Sequence, residues 1–360
     1  MTTLMLASQR VRCALARTLC TRAPPHRPRC RRMSAAGAAS GAAAGAAGMD
    51  VGDVVAGLGA RVAECNTAHL GDFVTVNFGG GVRGYVTPEF AAQLLGCVEE
   101  GNPFETVPPV DSQSEGEAVR LDPRLATFEA RTEAVERVVL ALADAGVITG
   151  WRGERYPVTS GFGREPRLSI ERAAASAFGV KAYGVHVNAY TTRVDDSSGC
   201  RVVDKVWVAR RSLQKSKWPG MLDHLVAGGQ PMGISLVDNV VKEAGEEAGV
   251  PEGLARAATR AAGAVSYLAA DASGRLGQDV LFCFDMELPA DFLPTAVDGE
   301  VESFELMPVA DVLKIVATTR EYKPNCALVL ADFFVRHGIV SPDAPGYLDL
   351  VSSLRQGSCQ

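Results

Sequence analysis

The sequence predicts an α+β protein of two unequal units. Three observations carry that prediction: an amphipathic helix over 235–249 with both ends marked, alternating strand patterns on either side of it, and a preceding stretch whose clear periodicities are helical. Residues 50–180 read as a smaller, mostly helical α+β domain, with helices over 89–100, 124–146 and 170–178 and a Pro/Ser/Glu-rich linker over 102–116. Gly79, Gly80 and Gly81 read as a turn, because no helix start follows them. Strands begin after 180. Residues 183–192 and 202–209 come first, and the alternation of Val206 and Val208 against Trp207 suits a sheet buried on both faces. Strands over 281–288 and 303–307 and helices over 309–316 and 325–335 follow, so the second unit spans 181–340 and 341–360 reads as a C-terminal tail.

Residues 1–49 stand apart. They hold eight arginines, no lysine and no acid, followed by an Ala/Gly-rich stretch over 34–48. That is the composition of a disordered organelle transit peptide, with the chloroplast as first destination and the mitochondrion as second. Without those eight charges the formal charge falls from −6 to −14, which argues against nucleic acid and anionic membranes as partners. No apolar run is long enough to span a bilayer, and the best of them, 138–148, is interrupted by Asp144. The six cysteines beyond the leader show no C-x-x-C or Cys/His spacing, so free thiols are expected. His186, between Val185 and Val187, reads as structural. Nothing in the sequence fixes the oligomeric state.

The 235–249 helix carries the chemistry. Leu236, Val237, Val240, Val241, Ala244 and Ala248 form its apolar stripe, Ser235 with Asp238 three residues on marks its start, and Gly249 before Pro251 marks its stop. Glu243, Glu246 and Glu247 therefore crowd the last two turns. The helix dipole is negative there, and like charges three and four apart repel by roughly 0.2–0.5 kcal/mol per pair. A hard divalent cation, Mg²⁺ or Mn²⁺, relieves both penalties, which makes these three glutamates the expected metal ligands. Upstream, the glycine-rich loop 227–233 feeds the helix, and Gly228 and Gly229 let backbone approach phosphate oxygens closely. Loop and helix together suit a metal-bound diphosphate. Arg210, Arg211 and Lys215 precede the loop and are expected to neutralise its terminal phosphate.

Residues 228–250 resemble the Nudix box, G-x5-E-x7-R-E-U-x-E-E-x-G-U with U aliphatic, and match it at Gly228, Glu243, Glu246, Glu247, Gly249 and Val250. Ile234 stands in place of the first glutamate, and Lys242 in place of the arginine. Segments 150–156, 178–188, 210–223 and 298–302 are similar to those of a Nudix subgroup labelled thiamine-pyrophosphokinase-like, which carries an extra N-terminal domain and, in plants, a chloroplast leader. The resemblance implies a Nudix α/β/α sandwich with a mixed sheet over 181–340. It implies a Mg²⁺-dependent diphosphatase for a small-molecule substrate, thiamine diphosphate or its oxidised, damaged forms, yielding the monophosphate. Glu243 and Glu246 would then be catalytic, with Glu302 or Glu300 as the later carboxylate that serves as general base. A nucleoside diphosphate derivative such as ADP-ribose or NADH is the neighbouring reading. Ile234 motivates a third, a binding module without turnover.

Overall fold

Three hydrophobic cores organise the described residues, one in the N-terminal unit and one on each face of the second sheet, and they do not follow sequence order. The computed structural model describes residues 49–98, 100–107 and 118–357, so the expected transit peptide over 1–49, apart from Met49, and most of the 102–116 linker lie outside the described residues. Helix α1 (Val51–Glu64) comes first, with its N-cap Asp50 accepting the Gly52 N–H at 2.8 Å. A hairpin of β1 (Val74–Gly79) and β2 (Val82–Val86) follows, turned by Gly79, Gly80 and Gly81 at φ 80°, 61° and 78°. Next come α2 (Pro88–Gly96), β3 (Phe104–Val107), β4 (Ala118–Leu121) and α3 (Phe128–Asp144). A second hairpin joins β5 (Arg155–Val158) to β6 (Leu168–Glu171), and the single turn α4 (Arg172–Ala175) closes this part.

The first four strands form a sheet in the order β2-β1-β4-β3, with β1 and β4 parallel. Phe78, Phe90, Phe104 and Phe178 meet at ring separations of 5.4–6.4 Å in a core shared with Val135, Val138, Val139 and Leu142 of α3. This unit is less helical than the sequence led us to expect. Its strands are only four to six residues long, too short to set a period against the helical stretches around them. The expected helix over 170–178 is corrected for a related reason. All four residues of β6 are buried, which erases the in–out alternation by which a strand is read, and helix begins only at Arg172.

The second sheet is built from β7 (Lys181–Val194), β8 (Arg201–Arg211), β9 (Leu222–Asp223), β10 (Val226–Gly229), β11 (Thr259–Ala270), β12 (Leu276–Glu287) and β13 (Val301–Pro308). It runs β11-β12-β7-β8-β13 and is mixed, since β7 is parallel to β12 and antiparallel to β8. One edge of the long β7 is divided: residues 184–187 pair with β10 and 190–194 with β8. Helices α5 (Leu236–Ala248) and α6 (Glu252–Ala258) cover the face that carries Val185, Val187, Trp207 and Phe284. Helices α7 (Val309–Thr318), α8 (Pro324–Arg336) and α9 (Tyr347–Ser353) cover the face that carries Val206, Val208, Leu281 and Cys283. This is the α/β/α sandwich the resemblance implied, with Val206, Trp207 and Val208 dividing between its faces.

Both outer boundaries of the units need correction. Val54, Val55, Leu58 and Val62 of α1, placed by the sequence reading with 50–180, are buried in the sandwich beside Val312 and Phe334. The expected tail 341–360 buries Leu350 and Leu354 in the same core. A helical stripe fixes which face is buried and says nothing of the partner. Among the described residues no helix is long and apolar enough to cross a membrane, and the cysteines at 65, 97, 200, 283 and 326 are free thiols.

Candidate metal and diphosphate site

The ends of α5 are set by local chemistry. Ser235 Oγ accepts the Asp238 N–H at 3.1 Å. At the other end Gly249 takes φ 63° and donates to Gly245 O at 3.2 Å, while the Val250 N–H returns to Ala244 O at 3.0 Å. Val240, Val241, Ala244 and Ala248 are buried, although Val237 of the expected stripe is exposed. This rotation turns Glu243 and Glu247 toward β10 and leaves Glu246 on the outside. Gly228 and Gly229 belong to β10 rather than to a loop, opposite Val185 and Gly184 of β7. Clearance is what demands glycine there. A Cβ on Gly228 would stand 2.5 Å from Glu243 Cδ.

The two inward carboxylates are poorly solvated and close to other acids. Glu247 is 8% exposed, and its Oε2 accepts the Ala227 N–H at 3.2 Å. Burial pushes its pKa well above the ordinary value, and Asp223 and Glu243 push it further. Burial raises Glu243 as well, against the pull of Lys242, whose Nζ lies 3.2 Å from Glu243 Oε1 and 3.1 Å from Glu246 Oε2. Burial and mutual repulsion oppose ionisation of both carboxylates, and a hard cation such as Mg²⁺ or Mn²⁺ would reverse both effects with this oxygen donor set, although among the described residues the three glutamates do not bring their oxygens within 4.8 Å of one another. Glu243 and Glu247 offer that set from within, and Glu246, 54% exposed, can join only from the solvent side.

Residues with no chemical signature in the sequence hold the geometry. Asn239 is fully buried and donates through Nδ2 to Gly229 O at 2.8 Å and to Gln230 Oε1 at 3.0 Å. Gln230 Nε2 in turn donates to Ile234 O at 2.7 Å. The position that departs from the box thus contributes its carbonyl to a clamp between β10 and α5. Asn239 sits beside Val240 and Val241 in the apolar stripe, and a polar residue at that point was the available clue.

The cations expected to meet phosphate are engaged elsewhere. Arg211 pairs with buried Asp223 at 2.6 Å and donates to the carbonyls of Trp218 and Lys217 at 3.0 and 3.1 Å. It thereby holds Trp218 at φ 55°, a strained value for a bulky residue. Arg210 donates to Gly220 O at 2.8 Å, and Lys215 pairs with Glu300 Oε2 at 2.6 Å. The β8–β9 hairpin absorbs Arg210 and Arg211 because it folds back over its own strand, while Lys215 meets Glu300 just ahead of β13. Burial works to raise the Glu300 carboxyl, but Lys215 outweighs it and holds the group below its ordinary value. Glu300 also lies within the field of Glu247, whereas Glu302 is exposed at the bulge in β13 and makes no such contact.

A buried polar cluster lies behind the site. His186, His224 and Cys326 bring donor atoms within 4.8 Å of one another, and burial pushes His224 down to about 4. Arg211 and Lys323 converge on the adjoining Asp223, at 2.6 and 3.7 Å, so a cation in the cluster would meet two positive charges. His186 packs edge-on against His224 at 5.1 Å.

Residues 187–326 match the NUDIX domain family model, and residues 58–182 match a domain of unknown function (DUF4743). The chain is 44% identical over 301 residues to Nudix hydrolase 24, chloroplastic, of Arabidopsis thaliana, which covers 83% of this chain and 78% of that protein. It is 43% identical over 307 residues to Nudix hydrolase 20, chloroplastic, of the same plant, with 85% and 79% covered. An uncharacterized protein of Saccharomyces cerevisiae is 36% identical over 58% of this chain and 62% of its own length. With relatives of that extent, and a box whose Glu243 and Glu247 meet β10 from a doubly capped helix, the chain belongs to the Nudix hydrolase family, enzymes that act on pyrophosphate bonds.

Proposed function

We propose that this Nudix hydrolase acts in the chloroplast on thiamine diphosphate, or on its oxidised, damaged analogues, and releases the monophosphate. The pairing of buried Glu247 with Glu243 against the side-chain-free edge of Gly228 carries the diphosphate part of the reading. The ring preference rests on the segments similar to the thiamine-pyrophosphokinase-like subgroup. The compartment rests on the arginine-rich leader and on relatives named chloroplastic.

Glu243 and Glu247, joined by Glu246, would hold Mg²⁺ or Mn²⁺, and the bound ion would supply charge neutralisation for the diphosphate and a lowered pKa for water. A water adds to the terminal phosphorus, the bridging P–O bond breaks, and the bridging oxygen leaves with the monophosphate. Glu300, kept ionised by Lys215, takes the proton of the attacking water. Asn239 and Gln230 fix β10 against α5 so that the carboxylates and the glycine edge keep their spacing.

The test is product release by the purified full chain with Mg²⁺ on thiamine diphosphate, its oxidised forms, ADP-ribose and NADH. The expected result is the highest kcat/KM on a thiamine diphosphate. A preference for ADP-ribose or NADH overturns the ring assignment, and no product from any of them overturns hydrolysis.

A further inference from the structure

With Arg210, Arg211 and Lys215 taken by other partners, the outer phosphate of a bound diphosphate needs its cation from somewhere else. The N-terminal unit brings one to the site. The backbone of β5 runs beside the segment after β10, with the Met232 N–H donating to Arg155 O at 2.9 Å. Next to it, a Cβ on Gly229 would stand 1.9 Å from Tyr156 Oη and 3.1 Å from Arg172 Cζ. The Arg172 guanidinium lies over the Tyr156 ring at 5.7 Å. Glu154 takes Nη1 at 2.9 Å, while Nη2 lies 3.2 Å from that same point above Gly229. Arg172 and Glu243 also lie within each other's electrostatic field, on the two sides of β10.

We propose that the N-terminal unit, whose family match carries no function, is part of the diphosphate site: Arg172, backed by Tyr156, binds the outer phosphate of the substrate across Gly229 from the glutamates of α5. The proposal rests on the reading that this site takes metal-bound diphosphates. Arginine suits the role because its planar fork meets a phosphate with two parallel hydrogen bonds. Gly229 follows from the same arrangement, since a side chain there would collide with the Tyr156 hydroxyl and displace the guanidinium from β10. The competing explanation is that Arg172 only docks the two units through Glu154.

Two substitutions separate these roles in the full chain. Calorimetric titration with magnesium pyrophosphate and steady-state kinetics are run on Arg172→Gln and on Glu154→Gln. Loss of a charged phosphate contact weakens pyrophosphate binding and raises KM about 10- to 100-fold in Arg172→Gln. Glu154→Gln breaks the same half-exposed ion pair but keeps the cation, so it stays within about threefold of the wild type. Equal losses in both variants, or wild-type affinity in Arg172→Gln, overturn the proposal. If Arg172→Gln fails to fold, Arg172→Lys takes its place. That variant retains charge without the fork and is expected to lose about 3- to 10-fold in affinity, with no loss counting against the proposal. A wild type that binds pyrophosphate through Arg172 yet hydrolyses no diphosphate removes the hydrolysis reading and leaves this inference standing. A wild type that hydrolyses diphosphates while Arg172→Gln keeps its KM does the reverse, and a wild type that binds no pyrophosphate removes both.

Discussion

The acidic end of α5 and the basic hairpin between β8 and β9 use their charges in opposite ways. The three cations of the hairpin expected to meet phosphate are answered within the protein: Arg210 by a carbonyl, Arg211 by Asp223 and two carbonyls, Lys215 by Glu300. At α5 the balance is left open. Glu247 has one backbone N–H against burial and three acidic neighbours, and Lys242 divides itself between Glu243 and Glu246. Charge that the fold satisfies serves structure, and charge that it leaves unsatisfied, at a cost in stability, is charge kept for a ligand.

The contrast is sharpest at Glu247. Glu247→Gln is expected to lower kcat about 1,000-fold, the scale of several kcal/mol that a metal contributes to charge stabilisation. Its melting temperature should hold or rise, because the substitution removes a carboxyl whose ionisation burial and neighbouring acids oppose. Retained activity in Mg²⁺ assays would break the contrast. The opposite pattern is expected of Arg211→Met, which leaves Asp223 buried with only Lys323 at 3.7 Å as a cationic neighbour. Denaturant melts should show a loss of about 3 kcal/mol with KM for diphosphate unchanged. A raised KM at unchanged stability would instead make Arg211 a substrate ligand.

Gly228→Ala tests the shape of the acidic side. The new Cβ meets the far end of the Glu243 side chain at 2.5 Å, and a flexible carboxyl can swing away with little loss of stability. The displaced ligand matters more than the fold. We expect kcat/KM to fall about 10- to 100-fold while stability changes by less than about 1 kcal/mol. Loss of both together would show that β10 itself had been broken.

These differences also mark how far the sequence could be read. The capping of α5 was legible because Ser235, Asp238 and Gly249 act within one turn of the positions they control. The two buried faces of the second sheet were legible because alternation along β8 reports them directly. Partners distant along the chain were not. Arg211 finds Asp223 across a hairpin, and Arg172 reaches Gly229 from another unit. The stripe of α1 gave no sign that its cover is α7 and α8, more than 250 residues further on. Strand β10, with two glycines in four residues, lacks the side chains by which a strand is recognised. Arginines and lysines in a row resemble a phosphate site until their answering acids and carbonyls are placed in space.

The smallest expected effect separates the two late carboxylates. Glu302 is exposed at the bulge where the pairing of β13 with β8 slips between Val301 and Ser303, whereas Glu300 is tied to Lys215 and shares the field of Glu247. An exposed side chain without partners contributes little to the fold, so Glu302→Gln should change stability by less than about 0.5 kcal/mol. Its kcat should stay within about twofold of the wild type, because a proton acceptor must lie within hydrogen-bond reach of the attacking water, directly or through one other water. Glu300→Gln supplies the comparison in the same assay. If Glu302→Gln proved the more damaging of the two, the proton acceptor would lie on the outer side of the β13 bulge. The Lys215–Glu300 pair would then join the satisfied charges of the hairpin.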